Sequence, residues 1–161
     1  MNILVLCTGN SARSILLESI LNTEGKDRVQ AYSAGSQPAG RVHPHSLILL
    51  DSMGHDISSA SSQSWDAYAS DDAPIMDVVI TVCASAAGET CPLWPTKEGQ
   101  APITIHWGVD DPAKAEEPEW EAAFQTAYAR LHKRATAFLA EPFEDMDRDA
   151  LKALLTRVGS L

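Results

Sequence analysis

Asn2-Ile3-Leu4-Val5-Leu6-Cys7-Thr8-Gly9-Asn10-Ser11-Ala12-Arg13-Ser14, with Ile15, Leu16, Leu17, Ile20 and Leu21 following, is the stretch on which the fold turns. The apolar run at 2–6 suits a buried strand, Gly9 marks a turn, and the later apolar residues recur at helical spacing. A loop of small residues that enters a helix points successive backbone N–H groups inward. With the positive end of the helix dipole, those groups can hold a tetrahedral oxyanion. Thr8, Gly9, Asn10, Ser11, Ala12, Arg13 and Ser14 are therefore the expected oxyanion-binding set, and Arg13 can add two parallel hydrogen bonds. The same field is expected to lower the pKa of Cys7 and make it nucleophilic, with Ser14 against its sulfur. An isolated cysteine after an apolar run is more often a core residue. The Cys-x5-Arg spacing between strand and helix reverses that expectation here.

Outward from this stretch, strands and helices alternate. Val29 to Ser33 reads as a second strand. Leu47, Ile48, Leu50, Asp51 and Met53 after Pro44 read as a helix ending at Gly54. Asp77-Val78-Val79-Ile80-Thr81-Val82 is nearly continuous and β-branched, as in a strand covered on both faces, and Pro102 to His106 is similar. Trp120, Phe124, Tyr128, Leu131 and Phe138 keep a helical period to Ala140, where Pro142 stops it. A last helix is expected from Arg148 to Val158; its Leu151, Leu154, Leu155 and Val158 suit either core packing or a dimer contact. Ser58 to Ala73 is polar and reads as a long surface connection. The expected fold is α/β, a flavodoxin-like open sheet of four parallel strands flanked by helices. It forms a single domain over 1–161, with a helical extension from about 143. Ligands then bind beyond the carboxyl ends of the strands, where Cys7, Cys83 and the segment after His106 lie.

Composition narrows the function. The 161 residues are 45% hydrophobic and 21% charged, enough apolar material for a core. A net charge of −10 and a pI near 4.8 exclude nucleic acid and anionic membranes as partners, so any field that attracts an anion must be local. The opening apolar run lacks a cationic start, and no stretch approaches the ~18 apolar residues of a membrane span, so a cytoplasmic protein is expected. Three cysteines, an odd count, point in that compartment to catalytic or transient redox use rather than a disulfide framework. Cys83 and Cys91 are too far apart in sequence for a structural zinc pair.

The loop at 7–14, Tyr32-Ser33-Ala34-Gly35, His43-Pro44, the Val78-to-Cys83 strand and His106-Trp107-Gly108-Val109-Asp110-Asp111-Pro112 together resemble the low-molecular-weight tyrosine phosphatases and the arsenate reductases that share their fold. The resemblance implies that the Asp-Pro pair supplies the general acid, making Asp111 the candidate and Asp110 its alternative. Its thioredoxin-coupled members imply a relay: Cys7 attacks arsenate, Cys83 attacks Cys7 to release arsenite, and Cys91 then attacks Cys83. Phosphate and arsenate share shape and charge, but thiols reduce only arsenate, which is why the extra thiols bear on the choice. Arsenical detoxification, with phosphate or sulfate as competing oxyanions, is the implied setting. Thioredoxin is the implied reductant, and glutaredoxin with glutathione the alternative. No organic cofactor is implied. In some reductases residues matching Asn10, Glu18, Ser33 and Asp66 hold a monovalent cation, potassium here.

A continuous helix from 83 to 91 would part those Cα atoms by ~12 Å, against about 4.4 to 6.8 Å in a disulfide, so the segment must bend or unwind. The seven residues between Cys83 and Cys91 exceed the family's six by one. His43, His45, His55 and His132 are expected to cap helices, line turns or face solvent, and His106 and Trp107 to brace the Asp111 segment. Two rivals remain. One is a tyrosine or small-molecule phosphatase using Cys7, Arg13 and Asp111 alone, though Ala113 stands where such enzymes place an aromatic. The other is a non-catalytic sensor of oxyanions or oxidants.

Overall fold

The computed structural model describes residues 1–89 and 92–161, with Ser85 described in its backbone alone. Four strands, β1 (Asn2–Leu6), β2 (Gln30–Ala34), β3 (Val78–Thr81) and β4 (Ile103–His106), form one sheet in the order β2-β1-β3-β4. Every pairing is parallel, and Leu6, Thr81 and His106 stand level across β1, β3 and β4. That register brings the chain out of three strands at one edge, so Cys7, Cys83 and the 107–111 segment emerge side by side.

The helices are α1 (Arg13–Gly25), α2 (Pro44–Ser52), α3 (Ala84–Gly88), α4 (Trp120–Leu139) and α5 (Arg148–Gly159). Ile15, Leu16, Leu17, Ile20 and Leu21 of α1 are buried with Ile3, Val5, Val78 and Ile80 of the sheet, and Phe124, Leu131 and Phe138 of α4 complete that core. α2 starts where His43 Nδ1 accepts the His45 N–H (3.1 Å) and Pro44 takes the first turn, which needs no amide hydrogen there. His55 ties α1 to α4, its Nδ1 meeting Ser19 Oγ at 2.8 Å and its Nε2 meeting Tyr128 Oη at 2.8 Å.

The opposite sheet face, with Leu4, Leu6 and Val79, is covered by Trp65 and Tyr68 of a 3₁₀ turn (Trp65–Tyr68) and by Trp94. The polar connection from Ser58 to Ala73 thus lies on the surface yet supplies part of a core. The final helix packs inward: Leu151, Leu154, Leu155 and Val158 are buried, and the buried Trp107 indole donates to the Leu155 carbonyl at 3.0 Å. No helix of the described residues is long and apolar enough to cross a membrane.

Candidate active site

The 7–14 loop is shaped from outside. Carbonyls of Thr8, Gly9 and Ser11 accept the N–H groups of Gln37, Ala39 and His43 at 2.9 to 3.0 Å. With carbonyls bonded outward, the loop's N–H groups after Thr8 are left for its interior. Asn10 sits at φ 45, a left-handed conformation that asparagine tolerates, and is fully buried. Its Nδ2 donates to Ser14 Oγ at 2.8 Å and its Oδ1 accepts Gln63 N–H at 2.9 Å. The Ser14 hydroxyl oxygen accepts from Asn10, which leaves its own proton free to be donated. Gly35 makes the close approach possible, since a Cβ there would lie 2.4 Å from the Thr8 carbonyl oxygen. α1 has no side-chain cap on its first turn, so its amide groups remain available to an anion.

Arg13 is oriented by the 107–111 segment. Its Nη1 donates to the Val109 carbonyl at 3.0 Å, and its Nη2 lies 3.3 Å from Asp111 Oδ2. Its Nε–H is buried without a hydrogen-bond partner among the described residues, a donor that an oxyanion in the loop would satisfy. Asp111 also accepts the Ala113 N–H at 3.0 Å, whereas Asp110 is exposed. Asp111 is therefore the one of the pair that faces the loop's arginine. Thr81 Oγ1 meets His106 Nδ1 at 2.8 Å, and Trp107 is fully buried at the start of this segment.

Cys7 and Cys83 are both buried and both free, and each bears on the other's acidity. The Cys83 sulfur caps α3: it accepts Ala86 N–H at 3.3 Å and Thr8 N–H at 3.4 Å, and lies 3.6 Å from Thr8 Oγ1. The hydrogen bond from Cys7 lowers the Cys83 thiol, and the Thr8 and Ala86 N–H groups add to it despite burial. The hydrogen bond to Cys83 and burial push the Cys7 thiol up, while Arg13 and the Gly9 N–H pull it down. Arg13 and Gly9 thus act on Cys7 in the expected direction, and in the oxyanion-free protein Cys83 and burial oppose them. Sequence alone held no signal for that coupling, nor for Glu89, whose Oε1 accepts the Thr8 hydroxyl at 3.1 Å. α3 ends at Gly88, and Glu89 is extended, so the chain bends after Gly88. Cys91 lies outside the described residues.

Behind the loop, the Ser33 hydroxyl donates to Glu18, whose carboxyl is raised to about 7 by burial and drawn back by that bond. Asn10 lies beside them through Gln63, which donates to both the Ser33 carbonyl and, by its N–H, Asn10 Oδ1. Asp66 is exposed on the 3₁₀ turn.

A buried cysteine at the mouth of a parallel sheet, followed by an anion-shaped loop and an arginine paired to an Asp-Pro carboxylate, is a recurrent construction, and the wider sequence agrees. Residues 2–151 match the family described as low molecular weight phosphotyrosine protein phosphatase. The chain belongs to this family. Within it, the arsenate reductase of Halalkalibacterium halodurans is 37% identical over 136 residues, 83% of this chain and 91% of that protein. A solved arsenate reductase in its oxidized state is 27% identical, with a TM-score of 0.67 over 86% of this chain and 96% of that one. The thioredoxin-dependent arsenate reductase of Corynebacterium glutamicum is 26% identical, with a TM-score of 0.57 over 81% of this chain and 57% of that one.

Proposed function

We propose that this member of the family reduces arsenate to arsenite by a relay through Cys7, Cys83 and Cys91, serving arsenic detoxification, with thioredoxin as the reductant. The observation that carries the reading is the Cys83 sulfur, buried like Cys7 and held by the Thr8 N–H of the oxyanion loop at 3.4 Å. A phosphatase has no use for a second thiol there. Ala113, partly buried against the core, leaves no aromatic side chain after the Asp-Pro pair to grip a phosphotyrosine ring.

Arsenate enters the loop and takes the Arg13 donors, freeing the Asp111 carboxylate from its ion pair to pass the Cys7 thiol proton to the departing oxygen. The Cys7 sulfur bonds to arsenic as that oxygen leaves as water, and arsenic stays As(V). The Cys83 thiolate then attacks the Cys7 sulfur: the S–S bond forms, the S–As bond breaks, and its electron pair remains on arsenic, which leaves as arsenite, As(III). Attack by Cys91 on Cys83 returns Cys7 as a thiolate. The resulting Cys83–Cys91 disulfide is reduced by the external dithiol. α3 ends at Gly88 and Glu89 is extended, so the helix that begins after Cys83 stops short of the third cysteine.

Glu18 fits a potassium ion: it is a half-buried carboxyl group, and no cationic side chain is paired with it among the described residues. With the oxygens of Ser33 and Asn10 it offers hard ligands, and a cation would neutralise Glu18 and stiffen the loop from behind.

The test couples arsenate-dependent NADPH consumption to thioredoxin and thioredoxin reductase, with aryl-phosphate hydrolysis measured in parallel. Wild type is expected to turn over arsenate. Cys83→Ser is expected to fall to background in that assay while keeping aryl-phosphate hydrolysis within a few-fold. Strong hydrolysis with background NADPH consumption, also with glutaredoxin and glutathione, would make the chain a phosphatase. Repeating the assay in potassium and in tetramethylammonium chloride tests the cation; equal rates remove it from the account.

A further inference from the structure

The Thr8 hydroxyl stands between two acceptors. Its oxygen lies 3.1 Å from Glu89 Oε1 and 3.6 Å from the Cys83 sulfur. A hydroxyl has one proton to give, and a carboxylate takes it more strongly than a sulfur at the longer distance. While that proton points at Glu89, the sulfur faces the lone pairs of the hydroxyl oxygen. Cys83 is then supported by the N–H groups of Thr8 and Ala86 and by Cys7. Glu89 falls in the stretch between Cys83 and Cys91 that is one residue longer than the family's spacing.

We infer that Glu89 is a positioning residue that holds the Thr8 hydroxyl proton away from Cys83 and so restrains the reactivity of that thiol in the oxyanion-free protein. An anion in the loop adds negative charge next to Thr8 and repels the Glu89 carboxylate. The hydroxyl can then turn its proton to the sulfur and stabilise the Cys83 thiolate. Cys83 thereby gains a donor when the loop is loaded, the moment at which the proposed relay needs it. This timing rests on the relay; the proton contest itself does not. Among the described residues, the titratable groups facing Cys83 are Cys7, bonded to it, and Glu89 across Thr8, with Arg13 acting through Cys7.

The experiment follows the pH dependence of iodoacetamide alkylation at Cys83, read peptide by peptide without arsenate, so that its outcome is separate from whether the chain reduces arsenate. Glu89→Ala is expected to lower the alkylation midpoint of Cys83 by about one pH unit, the scale of a hydrogen bond to a charged group. In a Thr8→Val background the same substitution is expected to do much less, because no hydroxyl remains to redirect. Thr8→Ser, which keeps the hydroxyl, is expected to restore the full shift. An unchanged midpoint in Glu89→Ala would overturn the inference. So would an equal shift with and without the hydroxyl, since that is the plain removal of a nearby charge.

Discussion

Cys7→Ser is expected to lose arsenate reduction and aryl-phosphate hydrolysis together, each by at least about 10⁴-fold, while still binding phosphate. The oxygen of serine is far less acidic than a thiol and cannot form the S–S bond on which arsenic reduction depends. The anion-binding apparatus is otherwise untouched: the outward-bonded carbonyls, the left-handed Asn10 and the Arg13 ion pair owe nothing to the sulfur. Phosphate protection against thermal unfolding should therefore survive in the variant. A Cys7→Ser protein that retained either activity would place the nucleophile elsewhere. One that lost phosphate binding would mean that the sulfur shapes the loop rather than reacts in it.

Trp107→Ala is expected to destabilise the fold by about 3–5 kcal/mol, a large part of the ~5–15 kcal/mol by which a domain is stable. The ring is fully buried, lies edge-on to Phe138 at 6.4 Å, and gives its N–H to Leu155 in the final helix. Truncation removes apolar contact, opens a cavity and leaves a buried carbonyl without its donor. Chemical denaturation monitored by circular dichroism should show the midpoint falling with the slope unchanged. Trp107→Phe, which keeps most of the volume and loses the hydrogen bond, should cost roughly 1–3 kcal/mol. A loss below 1 kcal/mol for Trp107→Ala would mean that α5 is not part of the same cooperative core. Because Trp107 directly precedes the Gly108-to-Asp111 segment, the alanine variant should also weaken the hold on Arg13.

Features encoded within a short stretch were legible in the sequence. β1, its loop and α1 are contiguous, so a branched apolar run, small residues and a helical period revealed them before any tertiary contact was known. Pro44, Gly54 and Pro142 marked helix ends for equally local reasons. What depended on contacts between distant residues was not legible. The direction of the Cys7 shift is set by Cys83, which reaches it only through the pairing of β1 with β3. Glu89 meets Thr8 across 81 positions, and nothing in the pattern around either residue signals it. The polar composition around Trp65 and Tyr68 hid their role as cover for the second sheet face. The last helix packs inward through contacts with residues distant in sequence, Trp107 among them, so its leucines alone left core and dimer contact equally open.

The most direct test of the relay is to mix the Cys91→Ser protein with one equivalent of arsenate, quench in acid, alkylate free thiols, and read the cysteine peptides and released arsenite by mass spectrometry. Without the third thiol, the chemistry should stop after one round. A Cys7–Cys83 disulfide and one arsenite per chain are expected. Cys7 and Cys83 both recovered as alkylated thiols, with no arsenite formed, would contradict the relay.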